Sequence, residues 1–120
     1  MLTNELWDLE TALESVDGYT DDLKELLKVW LQQTPELLQT MQTGIQSGDG
    51  QTVRRAAHTM RSSMDILGAS RLSRITQDMQ ILTDEELTTR GAELLNELKQ
   101  LAEALTPEIE AFIRSPTDTP

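Results

Sequence analysis

Apolar side chains recur at spacings of three and four residues along most of this chain. The longest such set is Leu23, Leu27, Trp30, Leu31, Leu37, Leu38, Met41 and Ile45. This spacing gives an α-helix one continuous apolar face, whereas the alternation of apolar and polar residues that is typical of strands is missing. A chain of 120 residues is long enough to bury one hydrophobic core without cross-links. The pattern therefore predicts a single all-α domain.

Capping and turn residues divide the apolar pattern into a short helix and four longer ones. The apolar residues of the short helix are Leu6, Leu9 and Leu13. This helix is predicted to be capped by Thr3 or Asn4 and to end at Asp17-Gly18. The second begins at Thr20-Asp21-Asp22, and Pro35 is expected to bend it without breaking it, because the apolar face continues on both sides.

The other three helices follow after short connections. The third lies between the turn Ser47-Gly48-Asp49-Gly50 and a C-terminal Gly68, and the fourth begins near Ser70. Thr83-Asp84-Glu85-Glu86 matches a capping box, and the apolar pattern of the last helix continues from Leu87, while Gly91 and Pro107 leave its exact limits open. Because short connections favour antiparallel neighbours, the expected architecture is an antiparallel up-down four-helix bundle with a short additional N-terminal helix.

The composition argues against several classes of function. A formal net charge of −11 opposes binding to nucleic acid or to an anionic membrane surface, and no apolar run is long enough to span a bilayer. The absence of cysteine excludes disulfides and thiolate metal sites. With no secretory signal at its start, the chain is expected to be a cytoplasmic monomer. The domain is predicted to span residues 1–114, and the polar, proline-rich residues 115–120 to form a disordered tail or linker.

Positive charge is concentrated in residues 51–77. This segment contains five arginines and one aspartate, a formal charge of +4, so the rest of the chain sums to −15. It also contains His58, the only histidine of the chain. On an ideal helix His58 lies about 140° from the direction of Val53, which belongs to the apolar face. The histidine is therefore predicted to point outward from the third helix.

Helical spacing places two arginines beside His58. Arg54 precedes it by four residues and Arg61 follows it by three, which are the separations that bring side chains together on a helix. Ser62 lies four residues after the histidine on the same outer face. Asp65 can pair with Arg61, and the spacing leaves open whether it holds the guanidinium in place or partly neutralises it.

These residue types suit phosphoryl transfer. An unprotonated imidazole nitrogen is a nucleophile that can form a phosphoramidate, and arginine presents a fork of donors to phosphate oxygens. The residue types alone do not separate this function from an ordinary solvated surface histidine. Metal binding at His58 is disfavoured, because arginines flank it and no second histidine or carboxylate lies four residues away.

Residues 56–69 carry a longer motif around the histidine. They read Ala-Ala-His-Thr-Met-Arg-Ser-Ser-Met-Asp-Ile-Leu-Gly-Ala, which resembles the signature of histidine-containing phosphotransfer (Hpt) domains, usually written A-H-x-L-K-G-S-x-x-x-L-G-A. Residues 26–38, including the proline, are similar to the second helix of that family, and residues 47–49 to the turn that follows it. The resemblance extends over residues 6–82, and the last helix agrees in its apolar pattern alone.

The resemblance implies roles for three side chains. In Hpt domains the histidine is phosphorylated on its outer ring nitrogen, a basic residue three positions later assists, and a glutamine on the next helix orients the ring. Here these residues are His58, Arg61 and, 22 positions after the histidine, Gln80. An amide oxygen that accepts from the inner ring nitrogen is expected to leave the outer nitrogen free to attack. Without the resemblance, Gln80 is an ordinary exposed glutamine.

Two positions depart from the family signature. Ser62 stands where glycine is usual, so its hydroxyl is either tolerated, with a hydrogen bond to phosphate, or slows access to the histidine. Arg61 stands where lysine is more usual, which keeps the charge and changes its shape. Neither departure removes the phosphoacceptor.

The resemblance also implies the partners, which are receiver domains of response regulators or hybrid sensor kinases. Their docking surface is predicted to include Arg54, Arg55, Ser62, Asp65 and Ile66. Ile66 is either an apolar docking residue, together with parts of the first helix, or a core residue at the helix end. The receiver supplies the aspartate and the magnesium for the transfer, so this chain is predicted to need no cofactor or metal and not to be an enzyme.

Three functions follow from these observations. The leading hypothesis is a phosphocarrier in a multistep phosphorelay, which accepts and donates a phosphoryl group at His58. The first alternative is a module that docks receivers without carrying phosphate. The second is the phosphoacceptor domain of a hybrid or chemotaxis-type histidine kinase, cut from the longer protein.

Overall fold

The computed structural model describes residues 6–116, and every regular element in that range is helical. The α-helices are α1 (Leu9–Glu14), α2 (Thr20–Ser47), α3 (Gly50–Leu67), α4 (Ser70–Gln80) and α5 (Ala92–Arg114). A 3₁₀ turn and a π-helical turn, Asp84–Glu86 and Leu87–Gly91, join α4 to α5. The predicted all-α class is confirmed. None of the helices within the described range is long and apolar enough to cross a membrane.

The first helix starts later than its apolar spacing predicted. α1 begins at Leu9, because the carboxylate of Asp8 accepts a hydrogen bond from the backbone N–H of Glu10 at 3.0 Å. Leu6 therefore lies before the helix rather than in its first turn. The predicted caps, Thr3 and Asn4, lie outside the described residues.

The ends of α3 are set by local residues, as predicted. Its cap is Asp49, whose carboxylate accepts from the backbone N–H of Thr52 at 3.2 Å. Hydrogen bonds from the Thr52 hydroxyl and backbone hold the pKa of the Asp49 carboxyl below its ordinary value. The helix ends at Gly68, which has the left-handed φ of 68°. The catalytic candidate His58 thus lies in the middle of a helix with a cap at each end.

The last helix starts at Ala92, directly after Gly91, one of the two residues that left its limits open. The capping box itself is present, with the Thr83 backbone N–H donating to Glu86 Oε1 at 2.9 Å. The chain then follows the π-helical turn and becomes α-helical at Ala92. Leu87 is nevertheless buried, and an apolar spacing does not distinguish this wider turn from an α-helical one. Both proline-containing helices, α2 at Pro35 and α5 at Pro107, continue through the proline.

One hydrophobic core joins the helices and leaves one face of α3 free. α3 packs against α2 and α4, and α5 packs against α2 and α4 from the other side. The buried residues of α3 are Val53, Ala56, Ala57, Met60, Met64 and Leu67. Those predicted for α4 and the following turn, Leu72, Ile75, Met79 and Leu82, are buried as well. The inward faces of both helices are as predicted, and His58 is exposed on the opposite face of α3.

Candidate functional site

His58 is held from α4 by Gln80, the last residue of that helix. The Gln80 side-chain nitrogen, Nε2, lies 2.9 Å from His58 Nδ1, the inner ring nitrogen. α4 packs against α3, and this packing brings together two residues that are 22 positions apart. No hydrogen bond joins the outer ring nitrogen, Nε2, to any of residues 6–116, and the His58 side chain is exposed.

Arg61 determines which end of the Gln80 amide faces the histidine. Its Nη1 atom lies 3.3 Å from Gln80 Oε1. Because a guanidinium has donors and no acceptor, the amide atom beside it has to be the oxygen, and the amide NH₂ group then faces His58 Nδ1. This polarity is the reverse of the one expected from the sequence, in which the amide oxygen accepts from Nδ1. In this arrangement the neutral ring carries its proton on Nε2.

Asp65 and Ser73 extend this contact across the two helices. Asp65 Oδ2 lies 3.7 Å from Arg61 Nε, and Asp65 Oδ1 accepts a hydrogen bond from the Ser73 hydroxyl at 2.5 Å. Ser73 is on α4 and is buried, with 5% of its surface exposed. The sequence predicted the pairing of Arg61 with Asp65. It carried no signal for Ser73, because that contact depends on how α4 is rotated against α3.

Arg54 lies one helical turn before His58 on α3, but its side chain contacts other groups. Its Nη1 atom donates to the carbonyl oxygen of Leu82 at 3.0 Å and to Asp84 Oδ1 at 3.1 Å. Both acceptors belong to the segment that leaves α4, directly after Gln80. Helical spacing predicted two guanidinium groups beside the imidazole. In the structure, Arg61 contacts Gln80 and Arg54 contacts the segment after α4. Asp84 is a further contact that no sequence spacing indicated.

Of the other predicted site residues, Arg55 and Ile66 line grooves with α2. Arg55 is exposed and lines a shallow groove with Leu37 of α2. The Ser62 hydroxyl is 3.5 Å from the backbone carbonyl oxygen of His58, so it turns toward its own helix. Ile66 is 39% exposed and lines an apolar groove between α2 and α3. On the α2 side of this groove, Val29 is also exposed. No residue of α1 lines this groove, and the contribution of the first helix to a docking surface stays a prediction.

The remaining arginines of the basic segment lie away from the histidine. Arg71 and Arg74 line a groove between α4 and α5, together with Arg90 and Asp78. His58 does not line that groove. Among residues 6–116 there is no cluster of three histidine, cysteine, aspartate or glutamate side chains that could hold a metal ion.

A helical scaffold with one exposed histidine, whose ring contacts a glutamine that an arginine holds in turn, has the features of a histidine phosphotransfer domain. The family model described as Hpt domain matches residues 25–108, more than half of the chain. The chain belongs to the Hpt-domain family. This family serves histidine phosphotransfer in two-component signalling, and its members are phosphocarriers rather than classical enzymes. No curated protein and no solved structure gave a match.

Proposed function

We propose that this chain is a phosphocarrier of a multistep phosphorelay, with His58 as the phosphoacceptor. In the transfer, His58 Nε2 loses its proton to solvent, and the lone pair that this frees forms a bond to the phosphorus of an aspartyl phosphate on a receiver domain. The bond from phosphorus to the aspartyl oxygen breaks, and the carboxylate leaves with that electron pair. The reverse transfer returns the group to another receiver. The observation that carries the proposal is the exposed imidazole, with its Nδ1 atom 2.9 Å from Gln80.

The donors of Arg61 support a role in stabilising the phosphoryl group. A guanidinium has five N–H donors. One at Nη1 faces Gln80 Oε1 and the one at Nε faces Asp65, while Nη2 has no hydrogen bond to any residue in 6–116. This edge is free to bind the equatorial oxygens of a phosphoryl group that is being transferred. Arg61 is therefore proposed to hold the ring glutamine and the phosphoryl group at the same time.

The α2 side of His58 is proposed as the surface on which a receiver docks. Val29 and Ile66 expose an apolar strip between α2 and α3, and Arg55 is exposed about three turns from Ile66 on α3. Apolar contacts with a charged rim are typical of protein interfaces. Because the Ser62 hydroxyl turns toward the His58 carbonyl, it does not fill the space in front of the ring. This favours a phosphocarrier over a module that only docks.

The finer features of the fold and setting belong to the same proposal. Contacts of α2 with α3, α3 with α4, α4 with α5, and α5 with α2 support an antiparallel up-down four-helix bundle, with α1 as the additional helix. We propose a domain of residues 1–114 and a tail or linker from residue 115. Of that tail, Ser115 and Pro116 are described, and the Ser115 carbonyl oxygen accepts from Lys24 Nζ. A cytoplasmic monomer remains the predicted setting.

Phosphoryl transfer from a panel of receiver domains tests the proposal. Receivers phosphorylated with acetyl phosphate are mixed with the wild-type chain and with the variants His58→Gln and Arg71→Ala. We expect rapid transfer to the wild type and to Arg71→Ala, as a label that is stable to alkali and lost in acid. No label is expected on His58→Gln, which keeps a polar side chain of similar length.

Two results would contradict the proposal. Transfer that survives in His58→Gln would place the phosphoacceptor elsewhere. Tight binding of a receiver to the wild type without any transfer, in the presence of magnesium, would identify a docking module instead. Thermal unfolding of each variant controls for loss of the fold.

A further inference from the structure

A connected series of side-chain contacts starts on α4, crosses to α3 and ends on the ring of His58. The series runs from Ser73 to Asp65, Arg61 and Gln80. We propose that Asp65 is a positioning residue which, through Arg61 and Gln80, keeps His58 Nδ1 unprotonated and so lengthens the lifetime of a phosphoryl group on Nε2. The proposal rests on the proposed phosphotransfer at His58 and assigns a regulation of that site.

Asp65 fixes the direction of the Arg61 side chain. The Ser73 hydroxyl donates to one carboxylate oxygen of Asp65 at 2.5 Å, and Ser73 is anchored in the core side of α4. The other carboxylate oxygen lies 3.7 Å from Arg61 Nε, an atom that is buried and has no hydrogen bond. Asp65 and Arg61 are 54% and 41% exposed, and exposed ion pairs add little to stability. The contact therefore matters for the direction of the guanidinium more than for folding.

Arg61 in turn fixes the Gln80 amide. Its Nη1 atom contacts Gln80 Oε1 at 3.3 Å, so rotation of the amide by 180° would place the NH₂ group against a cation. While Arg61 stays in this position, the NH₂ group faces His58 Nδ1 at 2.9 Å. A donor at this distance binds the lone pair of Nδ1, which is available only while this nitrogen carries no proton.

The protonation of Nδ1 decides how easily the phosphoryl group leaves. When Nε2 of a neutral ring carries the phosphoryl group, Nδ1 has no proton and can accept the hydrogen bond from Gln80. Attack by water on phosphorus breaks the P–N bond, and Nε2 takes the electron pair. If Nδ1 is protonated, the ring leaves as neutral imidazole; if it is not, the ring leaves as an anion, which is a much poorer leaving group. The observed amide orientation therefore protects the phosphorylated ring from hydrolysis.

The lifetime of the phosphorylated ring tests the proposal without any receiver. A phosphoramidate salt supplies the phosphoryl group, ammonia leaves, and the reagent is removed before the loss of phosphohistidine is followed by ³¹P NMR at neutral pH. We expect Asp65→Asn to shorten the half-life by about twofold to fivefold, the effect of losing one exposed ion pair. Ser73→Ala is expected to shorten it less. The control is Asp78→Asn, which removes an acid of similar exposure from α4, 3.9 Å from Arg90, and should keep the wild-type half-life.

A double variant separates this mechanism from a general loosening of the site. In a Gln80→Ala background, Asp65 has no amide to orient, so Asp65→Asn should have no further effect on the half-life. An equal effect of Asp65→Asn in both backgrounds would overturn the proposal, as would equal half-lives of Asp65→Asn and the wild type. If the wild type forms no phosphohistidine with phosphoramidate or with any phosphorylated receiver, the proposed function fails. If it does, and Asp65→Asn has the wild-type half-life, the proposed function stands and this inference alone fails.

The ring nitrogens of the unmodified protein provide a second readout. ¹⁵N shifts of the His58 ring are expected to show an unprotonated Nδ1 in the neutral wild type. In Asp65→Asn the amide is free to turn, so a larger share of Nδ1–H is expected. Identical ¹⁵N shifts in the two proteins would contradict the proposed role of Asp65, whatever the phosphoryl transfer rate.

Discussion

At the scale of single residues, the adjacent arginines 54 and 55 differ in what they contact. Arg54 binds the Leu82 carbonyl and Asp84, whereas Arg55 is exposed beside α2. The two residues are of the same type and adjacent in the sequence, so residue type does not explain the difference. It arises because successive residues on a helix point about 100° apart, so one side chain reaches the segment after α4 and the other reaches solvent.

Substitution of each arginine by alanine is expected to separate stability from docking. Arg54→Ala leaves the Leu82 carbonyl without its donor, and should lower the free energy of unfolding by about 1 kcal/mol. Arg55→Ala should leave unfolding unchanged and weaken binding to a receiver. Urea unfolding and titration with the receiver measure the two effects. The assignment is wrong if Arg54→Ala weakens binding while unfolding stays the same.

At the scale of helices, the two left-handed glycines at the ends of α2 and α3 make different contacts. Gly48 and Gly68 have φ values of 73° and 68°. A Cβ atom on Gly48 would meet nothing within 4 Å, whereas one on Gly68 would lie 2.7 Å from Asp8 Cβ. Gly68 thus ends α3 and also lets the start of α1 pack closely against it.

Alanine at each glycine is expected to show this difference in stability. Gly48→Ala should cost about 1 kcal/mol, the strain of a left-handed residue with a side chain. Gly68→Ala adds the overlap with Asp8 and should cost at least about 2 kcal/mol. Chemical denaturation measures both costs. Equal costs would mean that α1 moves away from the α3 terminus without loss.

At the scale of the whole molecule, two capping carboxylates make stability depend on pH. Hydrogen bonds from the Thr52 hydroxyl and backbone lower the pKa of Asp49, and those from the Thr83 backbone and hydroxyl lower the pKa of Glu86. A carboxyl whose pKa is lower in the folded state stabilises the fold above its unfolded pKa, and that contribution is lost as the pH falls through the folded pKa.

The free energy of unfolding is therefore expected to decrease as the pH falls from about 5 to about 3. The double variant Asp49→Asn/Glu86→Gln keeps both side-chain shapes and should show a shallower decrease. Glu103→Gln/Glu110→Gln removes the same number of charges from α5 and controls for the change in net charge. Parallel pH profiles for the wild type and the capping variant would contradict this account.

Contacts within one helix turn were predictable from the sequence, because the helix repeat alone determines them. The apolar faces of α3 and α4, the Asp49 cap, the Gly68 terminus and the exposure of His58 all belong to this class. The late start of α5 escaped prediction, since an apolar spacing fits an α-helical turn and a π-helical turn equally well.

The sequence by itself determined that the chain is helical and that one histidine faces outward among arginines, because these features depend on neighbours within four positions. The tertiary structure alone decided the contacts that cross between helices. It joins Ser73 to Asp65, ties Arg54 to the segment after α4, and turns the Gln80 amide so that its NH₂ group faces His58. Each of these depends on the rotation of α4 against α3 and on competition among donors for one oxygen, which no local spacing encodes.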